Sequence, residues 1–331
     1  MDVTALVPID LIARSLDITR RAINLAKVFS GSGLKIIFAH NDRGCTADRI
    51  FVEAIGKDRY PGATVVSEGI YSGVVNTSKL RNFGAYFVQS ELVLLLDVDI
   101  WPDVELFKRR AQVVSNSGSF DMLPCLYLTQ RGTESIQRSN DYSALLEKYY
   151  NFGRGLFLHL AAPSSIITLR KASYEAILGF DESFEGHGFE DFDFMVRLAQ
   201  HYNELHAGND FLHDMAARSP LFAEGFRRDL ARACIPALIN KDLALHLYHP
   251  KGDLKAYQGQ RRTNYSRFAE KYHGLSHAAK KGSRTLIPEF VTAAECRGGA
   301  VSDYGIYFDN KPGHIDRFDT FKKRLRFLIN G

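Results

Sequence analysis

The sequence predicts an α/β fold with a mostly parallel central sheet flanked by helices. Strand-like apolar segments alternate with helix-like segments through the first half of the chain, as they do when parallel strands are joined by helical crossovers. A run of five apolar residues at 92–96 is too continuous for a half-exposed strand and indicates a buried central one. Of the 331 residues 45% are apolar, so the chain is long enough to bury a substantial core.

The first half contains four predicted strands and two predicted helices. Apolar runs predict strands at residues 3–8, 34–39, 64–67 and 92–96. Apolar residues at helical spacing predict helices at 11–29 and 76–89. Gly31-Ser32-Gly33 ends the first helix, and a polar loop at 40–44 follows the second strand.

The second half is less regular. We expect a strand at 164–169 and helices at 171–178 and 192–201. Residues 128–156 are polar and rich in tyrosine, which predicts a long excursion from the fold, and long ordered loops are more often functional than idle. From about residue 251 the chain becomes basic and helical.

Composition excludes several classes of function. A net charge of +4 is small for this length, and no basic patch with aromatic residues stands out in the central region, so no nucleic-acid partner is expected. The four cysteines are far apart and form no CxxC pair, which argues against a zinc ribbon or a disulfide scaffold and fits a reducing cytoplasm. We see neither a signal-peptide pattern nor an apolar run long enough to span a membrane.

An acidic triplet, Asp97-Val98-Asp99, follows the predicted central strand. Two carboxylates one residue apart on an extended segment point the same way, and together they can bind one divalent cation. Ligands bind at the carboxyl edge of open α/β sheets, where Mg²⁺ or Mn²⁺ would neutralise a diphosphate leaving group. The alternative is a pair of solvated acids in a turn.

A second acidic cluster contains Glu190, Asp191 and Asp193 in a glycine-rich, aromatic turn before the predicted helix at 192–201. A carboxylate at a helix N-terminus is stabilised in its ionised form and is then available as a base. The alternative is that these acids cap the helix.

In this order and spacing, these segments resemble the glycosyltransferases of the GT-A fold, closest to family 2 and to the galactosyltransferase/chondroitin-polymerase C-terminal region. The resemblance spans about residues 3–275. Four pieces carry it: Ala5-Leu6-Val7-Pro8; Lys79-Leu80-Arg81-Asn82-Phe83-Gly84; Leu94-Leu95-Leu96-Asp97-Val98-Asp99; and the segment from Ser164 to Tyr174 with Leu178-Gly179-Phe180-Asp181-Glu182 and Gly188-Phe189-Glu190-Asp191.

The resemblance implies a role for each group of residues. Asp191 would be the general base of an inverting transfer, Glu190 would hold the acceptor or the donor sugar, and Asp193 would cap the helix. The expected donor-binding residues are Pro8, Asp42, Lys79, Arg81, Asn82 and Asp97. The expected acceptor-binding residues are Trp101, His187 and Phe189, of which Phe189 stands where relatives often have a smaller residue.

The expected cofactor is Mn²⁺, or Mg²⁺, bound by Asp97 and Asp99. The family often adds a histidine ligand downstream, and His246 or His249 is placed to provide it. A neutral imidazole suits Mn²⁺ better than Mg²⁺. On a strand the two histidines would face opposite sides, so only one is expected to bind the metal, and His246 is favoured.

The resemblance also implies a domain organisation. We expect a GT-A domain at residues 1–250, with a nucleotide-sugar half at 1–105 and an acceptor half at 106–250, and a basic helical extension at 251–331. A helix at 316–328 would have one aromatic and apolar face surrounded by basic residues. Such a helix suits peripheral contact with an anionic membrane, and the alternative is a helix packed on this or a further domain.

The expected activity is therefore an inverting, metal-dependent transfer of a sugar from a nucleotide sugar, most simply a UDP-sugar, to a glycan or lipid-linked glycan hydroxyl. The expected setting is bacterial capsule or O-antigen synthesis, in the cytoplasm or at the inner membrane. One alternative is a sugar-nucleotide pyrophosphorylase, but the glycine-rich loop that it needs after the first strand is missing here. Another is a catalytically silent glycan-binding module of the same fold, against which the two acidic clusters speak.

Overall fold

A computed structural model describes residues 2–56, 59–250, 259–277, 285–309 and 325. The chain forms two compact units. The first unit comprises Met1–Asp121, Ser165–Glu204 and Lys251–Lys271. The second unit comprises Met122–Ser164, Leu205–Pro250 and Tyr272–Gly331.

The described residues contain nine strands and twelve α-helices. The strands are β1 (Val3–Ile9), β2 (Lys35–Asn41), β3 (Ala63–Glu68), β4 (Leu92–Leu95), β5 (Asp121–Met122), β6 (Cys125–Leu128), β7 (Phe157–Ala161), β8 (Ile167–Arg170) and β9 (Ala244–His246). The helices are α1 (Ser15–Phe29), α2 (Thr46–Ile55), α3 (Thr77–Tyr86), α4 (Val104–Ser117), α5 (Gln130–Ser139), α6 (Tyr142–Tyr150), α7 (Lys171–Ala176), α8 (Glu190–His201), α9 (Phe226–Ala231), α10 (Ile235–Ile239), α11 (Arg261–Tyr272) and α12 (Ile287–Cys296). Short 3₁₀ helices lie at Arg154–Leu156, Pro220–Phe222, Arg232–Cys234, His273–His277 and Val301–Tyr307.

The first unit is built on the predicted, mostly parallel sheet. Its strand order is β3-β2-β1-β4-β8-β5, and the two-residue strand β5 is where the chain leaves this unit. Strands β1 to β4 are parallel, whereas β8 runs antiparallel to β4. Strand β4 is buried along its whole length, as the apolar run predicts. The order reverses between β1 and β4, which makes their carboxyl ends the topological switch point where ligands bind in such sheets.

The predicted long excursion at 128–156 is wrong. The segment forms α5 and α6 in the second unit, each begun by a side-chain cap. Thr129 accepts a hydrogen bond from the N–H of Gly132, and Asp141 accepts one from that of Ala144. Each helix buries only two or three side chains or glycines, so the segment reads as polar although it is helical.

The second unit also has a three-stranded sheet of its own. Its order is β7-β6-β9, with β6 antiparallel to β7 and parallel to β9. Helices α9, α10 and α12 lie in the same unit.

No helix in the described part of the chain is long and apolar enough to cross a membrane. The predicted basic helix at 316–328 lies outside the described residues, apart from Leu325. Within the predicted extension, the described residues form two α-helices, α11 and α12.

Candidate active site

The metal-motif carboxylates lie in the turn after β4 and not on the strand itself. Asp97 accepts hydrogen bonds from Arg81 at 3.1 Å and from the hydroxyl of Ser165 at 3.0 Å. Asp99 is buried and contacts Arg14 and Arg21, which belong to the start of α1. Asp99 lies in this turn and not on an extended strand, so strand alternation does not fix the relative direction of the two carboxylates.

One guanidinium joins the two acidic clusters. The Nη1 atom of Arg81 lies 2.6 Å from Oδ1 of Asp191, and its Nη2 atom lies 3.1 Å from Oδ1 of Asp97. Arg81 is only 3% exposed, and its guanidinium also lies over the ring of Phe180 at 4.8 Å. The acidic triplet and the acidic turn, 94 residues apart in sequence from Asp97 to Asp191, thus meet across a single side chain.

Glu190 is the buried neighbour of this ion-pair network. Its Oε2 atom is inaccessible to solvent and has no hydrogen-bond partner among the described residues. Burial, together with the charge of Asp191, raises the pKa of Glu190 to about 8. Burial and the charge of Asp97 also raise the pKa of Asp191, while Arg81 opposes that rise. The two adjacent carboxyl groups therefore have environments that disfavour full ionisation of both.

The helix that carries these acids begins at Glu190, two residues earlier than the sequence predicts. Phe189 precedes it in the left-handed conformation, with φ of 74°, and makes no side-chain cap. The prediction that Asp193 caps the helix is wrong. Its buried carboxylate instead contacts Arg197 at 2.9 Å and Lys271 at 2.7 Å.

Side chains of α11 form hydrogen bonds and ion pairs with the acidic turn and the helix after it. The side-chain amide of Asn264 donates to the carbonyl of Glu185 at 2.9 Å, and Arg267 donates to that of Ser183. Lys271 contacts Asp181 at 2.9 Å in addition to Asp193. These α11 side chains recur at intervals of three or four residues and so lie on one face of the helix.

Asp10, directly after β1, lies at the same edge of the sheet and was not among the residues that the sequence reading selected. It accepts from Arg43 through both carboxylate oxygens, at 2.9 and 2.7 Å, and from the Tyr71 hydroxyl at 2.8 Å. Asn41, at the end of β2, accepts from the backbone N–H of Tyr71 at 3.2 Å. The sequence indicated these two residues only by their position. Each follows or ends a parallel strand, and the carboxyl ends of parallel strands meet at one edge of the sheet.

Comparison with known proteins identifies the family. The sequence profile of Glycosyltransferase like family 2 matches residues 69–273, which is more than half of the chain. The chain belongs to this family. Membership and the mostly parallel sheet together confirm the predicted fold class, the GT-A glycosyltransferase fold. No curated protein matches the sequence.

Several solved structures are similar to this glycosyltransferase at low sequence identity. The mannosyltransferase PcManGT from Pyrobaculum calidifontis, in complex with GDP-Man and Mn²⁺, is 11% identical with a TM-score of 0.42, over 92% of this chain and 72% of that one. Glucosyl-3-phosphoglycerate synthase from Mycobacterium tuberculosis is 11% identical with a TM-score of 0.37, over 82% and 79%. TarS 1–349 from S. aureus is 15% identical with a TM-score of 0.37, over 60% of this chain, which spans 55% of TarS 1–349.

The other predicted donor residues of this glycosyltransferase occupy varied positions in the first unit. Pro8 lies within β1, Asp42 is exposed after β2, and Lys79 is half-buried in α3. Asn82 of α3 donates from its side-chain amide to the carbonyl of Phe180 and to the carboxylate of Glu182, both at 2.9 Å. Asn82 therefore ties α3 to the start of the acidic turn.

The predicted acceptor residues differ in exposure. His187 is exposed, and Trp101 is half-buried after the acidic triplet. Phe189 is buried and its ring centroid lies 5.0 Å from the guanidinium of Arg261, so in this structure its ring packs against α11. Acceptor binding by these three residues stays a prediction.

The predicted histidine ligands belong to the second unit of this glycosyltransferase. His246 ends β9 and stacks on Tyr127 with ring centroids 4.1 Å apart. His249 follows the strand, and the two imidazole centroids are 5.4 Å apart. The argument that strand alternation separates them fails because only His246 is in the strand. Whether either binds a metal stays a prediction.

A glutamine in place of Glu190 is expected to flatten the pH dependence of stability. Between the ordinary value of 4.5 and the folded value of about 8, the folded chain holds a proton on Glu190 that the unfolded chain releases. The free energy of unfolding therefore falls as pH rises through this window, and glutamine removes that contribution. Urea denaturation at about pH 5 and pH 8 should show a smaller loss for Glu190→Gln than for the wild type.

The matched control is Glu53→Gln, which changes an exposed glutamate of α2 and should follow the wild type. If Glu190→Gln also loses as much stability as the wild type between the two pH values, the proton is not held on Glu190.

Proposed function

We propose that this glycosyltransferase is an inverting, metal-dependent enzyme that moves a sugar from a UDP-sugar to a hydroxyl of a glycan or lipid-linked glycan. The observation that carries the proposal is the Arg81 bridge between Asp97 and Asp191. In this proposal Asp97 acts on the donor side and Asp191 on the acceptor side, and both contact Arg81. Two acids with distinct partners can divide donor binding and proton removal between them.

Asp191 is the base in this proposal. Arg81 contacts its Oδ1, and within the described residues its Oδ2 receives no hydrogen bond. Its side chain is 30% exposed, so an acceptor hydroxyl can reach it, whereas Glu190 is buried. The acceptor O–H proton passes to Asp191 as the acceptor oxygen bonds to the anomeric carbon. The bond from that carbon to the diphosphate breaks, the diphosphate keeps the electron pair, and attack from the opposite face inverts the configuration.

Glu190 and Arg81 act as supporting groups. A neutral Glu190 carboxyl avoids repulsion with Asp191 and so allows Asp191 to stay ionised. Arg81 limits the repulsion between Asp97 and Asp191, and it fixes the direction of the Asp191 carboxylate. These roles follow from the raised pKa of Glu190 and from the two Arg81 contacts.

The donor set fits a divalent cation. Asp97 is 35% exposed and offers carboxylate oxygens, and Asp99 in the same unit adds one further carboxylate. Carboxylate oxygens suit Mg²⁺ and Mn²⁺. When bound, the cation would neutralise charge on the leaving diphosphate.

The donor class is testable by thermal unfolding. A ligand that binds the folded chain raises its apparent stability, so one UDP-sugar with Mn²⁺ should raise Tm, and the shift should grow with ligand concentration. Omitting Mn²⁺ or changing Asp99 to alanine should reduce the shift. A panel of UDP-sugars, with GDP- and dTDP-sugars alongside, identifies the donor.

The same panel separates the proposal from its alternatives. Slow, metal-dependent hydrolysis of the sugar that stabilises the chain supports a catalytic enzyme. Binding of free glycans with no nucleotide-sugar binding would overturn the proposal in favour of a silent glycan-binding module. The proposed setting is bacterial capsule or O-antigen synthesis at the cytoplasmic face of the inner membrane. Transfer assays with candidate acceptors would test this setting.

A further inference from the structure

Two arginines, Arg14 just before α1 and Arg21 within it, contact the buried carboxylate of Asp99. Arg14 contacts both carboxylate oxygens, with Nη1 at 3.3 Å from Oδ1 and Nη2 at 2.9 Å from Oδ2. Arg21 adds Nη1 at 3.0 Å from Oδ1. A single carboxylate therefore faces two permanently charged guanidiniums.

These arginines lie near the carboxyl edge of the sheet, where ligands bind in such folds. Helix α1 directly follows β1, and Asp99 follows β4, so the cluster lies at the switch point between the two strands. The fifteen-residue helix begins here, and the partial positive charge of a helix N-terminus attracts anions. The Arg81 bridge involves a different set of side chains, those of Arg81, Asp97 and Asp191.

Asp17 contacts the same two arginines. It accepts from Arg14 and Arg21, and also from Arg20. Asp17 keeps Arg14 and Arg21 aligned through contacts of 3.0 Å to each. The orientation of the two guanidiniums therefore does not depend on Asp99 alone.

Arg14 has an unusual backbone that serves this arrangement. It is the residue before α1 and adopts the left-handed conformation, with φ of 54° and ψ of 32°. Left-handed conformations are uncommon for residues other than glycine, asparagine and aspartate, and they persist where surrounding contacts fix them. The ion pairs of Arg14 with Asp17 and Asp99 are such contacts.

We propose that Arg14 and Arg21 bind the diphosphate of the nucleotide-sugar donor, exchanging their contacts with Asp99 for phosphate oxygens. The inference rests on the proposed function, since it assigns residues to the leaving group of that reaction. Guanidiniums match phosphate oxygens with paired hydrogen bonds. The exchange frees the Asp99 carboxylate for a divalent cation and keeps two positive charges beside the developing diphosphate.

The test compares a nucleoside diphosphate with its nucleoside. Calorimetry with Mn²⁺ measures Kd for UDP and uridine, and for GDP and guanosine, on the wild type and on the double variant Arg14→Gln/Arg21→Gln. We expect the diphosphate that the wild type binds to weaken by roughly 10- to 100-fold, the loss typical of charge-assisted hydrogen bonds. Binding of the nucleoside should stay within about twofold, because it carries no phosphate.

Arg20→Gln is the matched control. Arg20 has the same charge on the same helix and contacts Asp17, but it is 77% exposed, so its loss should leave diphosphate binding near the wild-type value. The single variants Arg14→Lys and Arg21→Lys keep the charge and should recover part of the affinity. They also report on the site if the double variant does not fold.

Three outcomes would decide against the inference. An unchanged Kd for the diphosphate in the double variant would show that the arginines do not bind it. Equal weakening of diphosphate and nucleoside would show a structural role only. A wild type that binds neither diphosphate would overturn the proposed function itself, which is a different result from a wild type that binds a diphosphate without Arg14 and Arg21.

Discussion

Replacing Asp191 by asparagine is expected to lower kcat by roughly 10²- to 10⁴-fold, the usual contribution of a positioned general base. Asparagine keeps the shape of the side chain and can still accept from Arg81, but it cannot take the acceptor proton. Donor affinity should change little, because the donor-side contacts of Asp97 and Asp99 are untouched. Steady-state kinetics with the identified donor and acceptor, together with calorimetry of UDP and Mn²⁺, measure the two effects separately.

The control for this variant is Asp103→Asn. Asp103 caps α4 by accepting from the N–H of Leu106 at 2.9 Å, and asparagine caps about as well as aspartate. Its turnover should equal that of the wild type. Near wild-type turnover in Asp191→Asn would show that Asp191 is not the base and would direct the same experiment to Glu190.

The sheet and the acidic motifs were predictable because they depend on local pattern. An apolar run fixes β4 as a central strand, and its carboxyl end then places Asp97 at the ligand-binding edge. The turn that begins at Asp97 could not be predicted, because the apolar run identifies the strand but does not mark the residue at which the turn begins. Arg81 was predicted as a donor residue from the family resemblance, whereas its bridge to Asp191 emerged only in the structure.

Tertiary contacts account for most of what the sequence reading missed. Lys271 and Asp193 are 78 residues apart, and nothing in the spacing of either residue indicates the other. The left-handed backbone of Arg14 and Phe189 is equally hidden, because neither residue type favours that conformation. They precede α1 and α8, which carry residues with roles in the two proposals above, and unusual backbone tends to collect at functional sites.

Replacing Arg81 by methionine is expected to lower the free energy of unfolding by about 3 kcal/mol. Breaking a buried ion pair by removing one partner typically costs about 3–5 kcal/mol, and the lower end applies because Asp97 and Asp191 are 35% and 30% exposed. The loss should be smaller at low pH, where protonation of the carboxyl groups around the missing cation relieves their repulsion. Urea denaturation at about pH 5 and pH 8 measures both effects.

A second buried arginine provides a control that separates the effect on activity from the effect on stability. Arg110 is buried in the same unit and contacts Asp121 at 2.9 Å through Nε, so Arg110→Met should also reduce stability. Only Arg81→Met should reduce kcat in protein that is still folded, because only Arg81 directs the Asp191 carboxylate. Arg81→Lys keeps the charge but lacks the planar fork that spans two carboxylates, so it should recover more stability than turnover. If Arg81→Met and Arg110→Met lose the same fraction of activity, Arg81 stabilises the fold without organising the reaction.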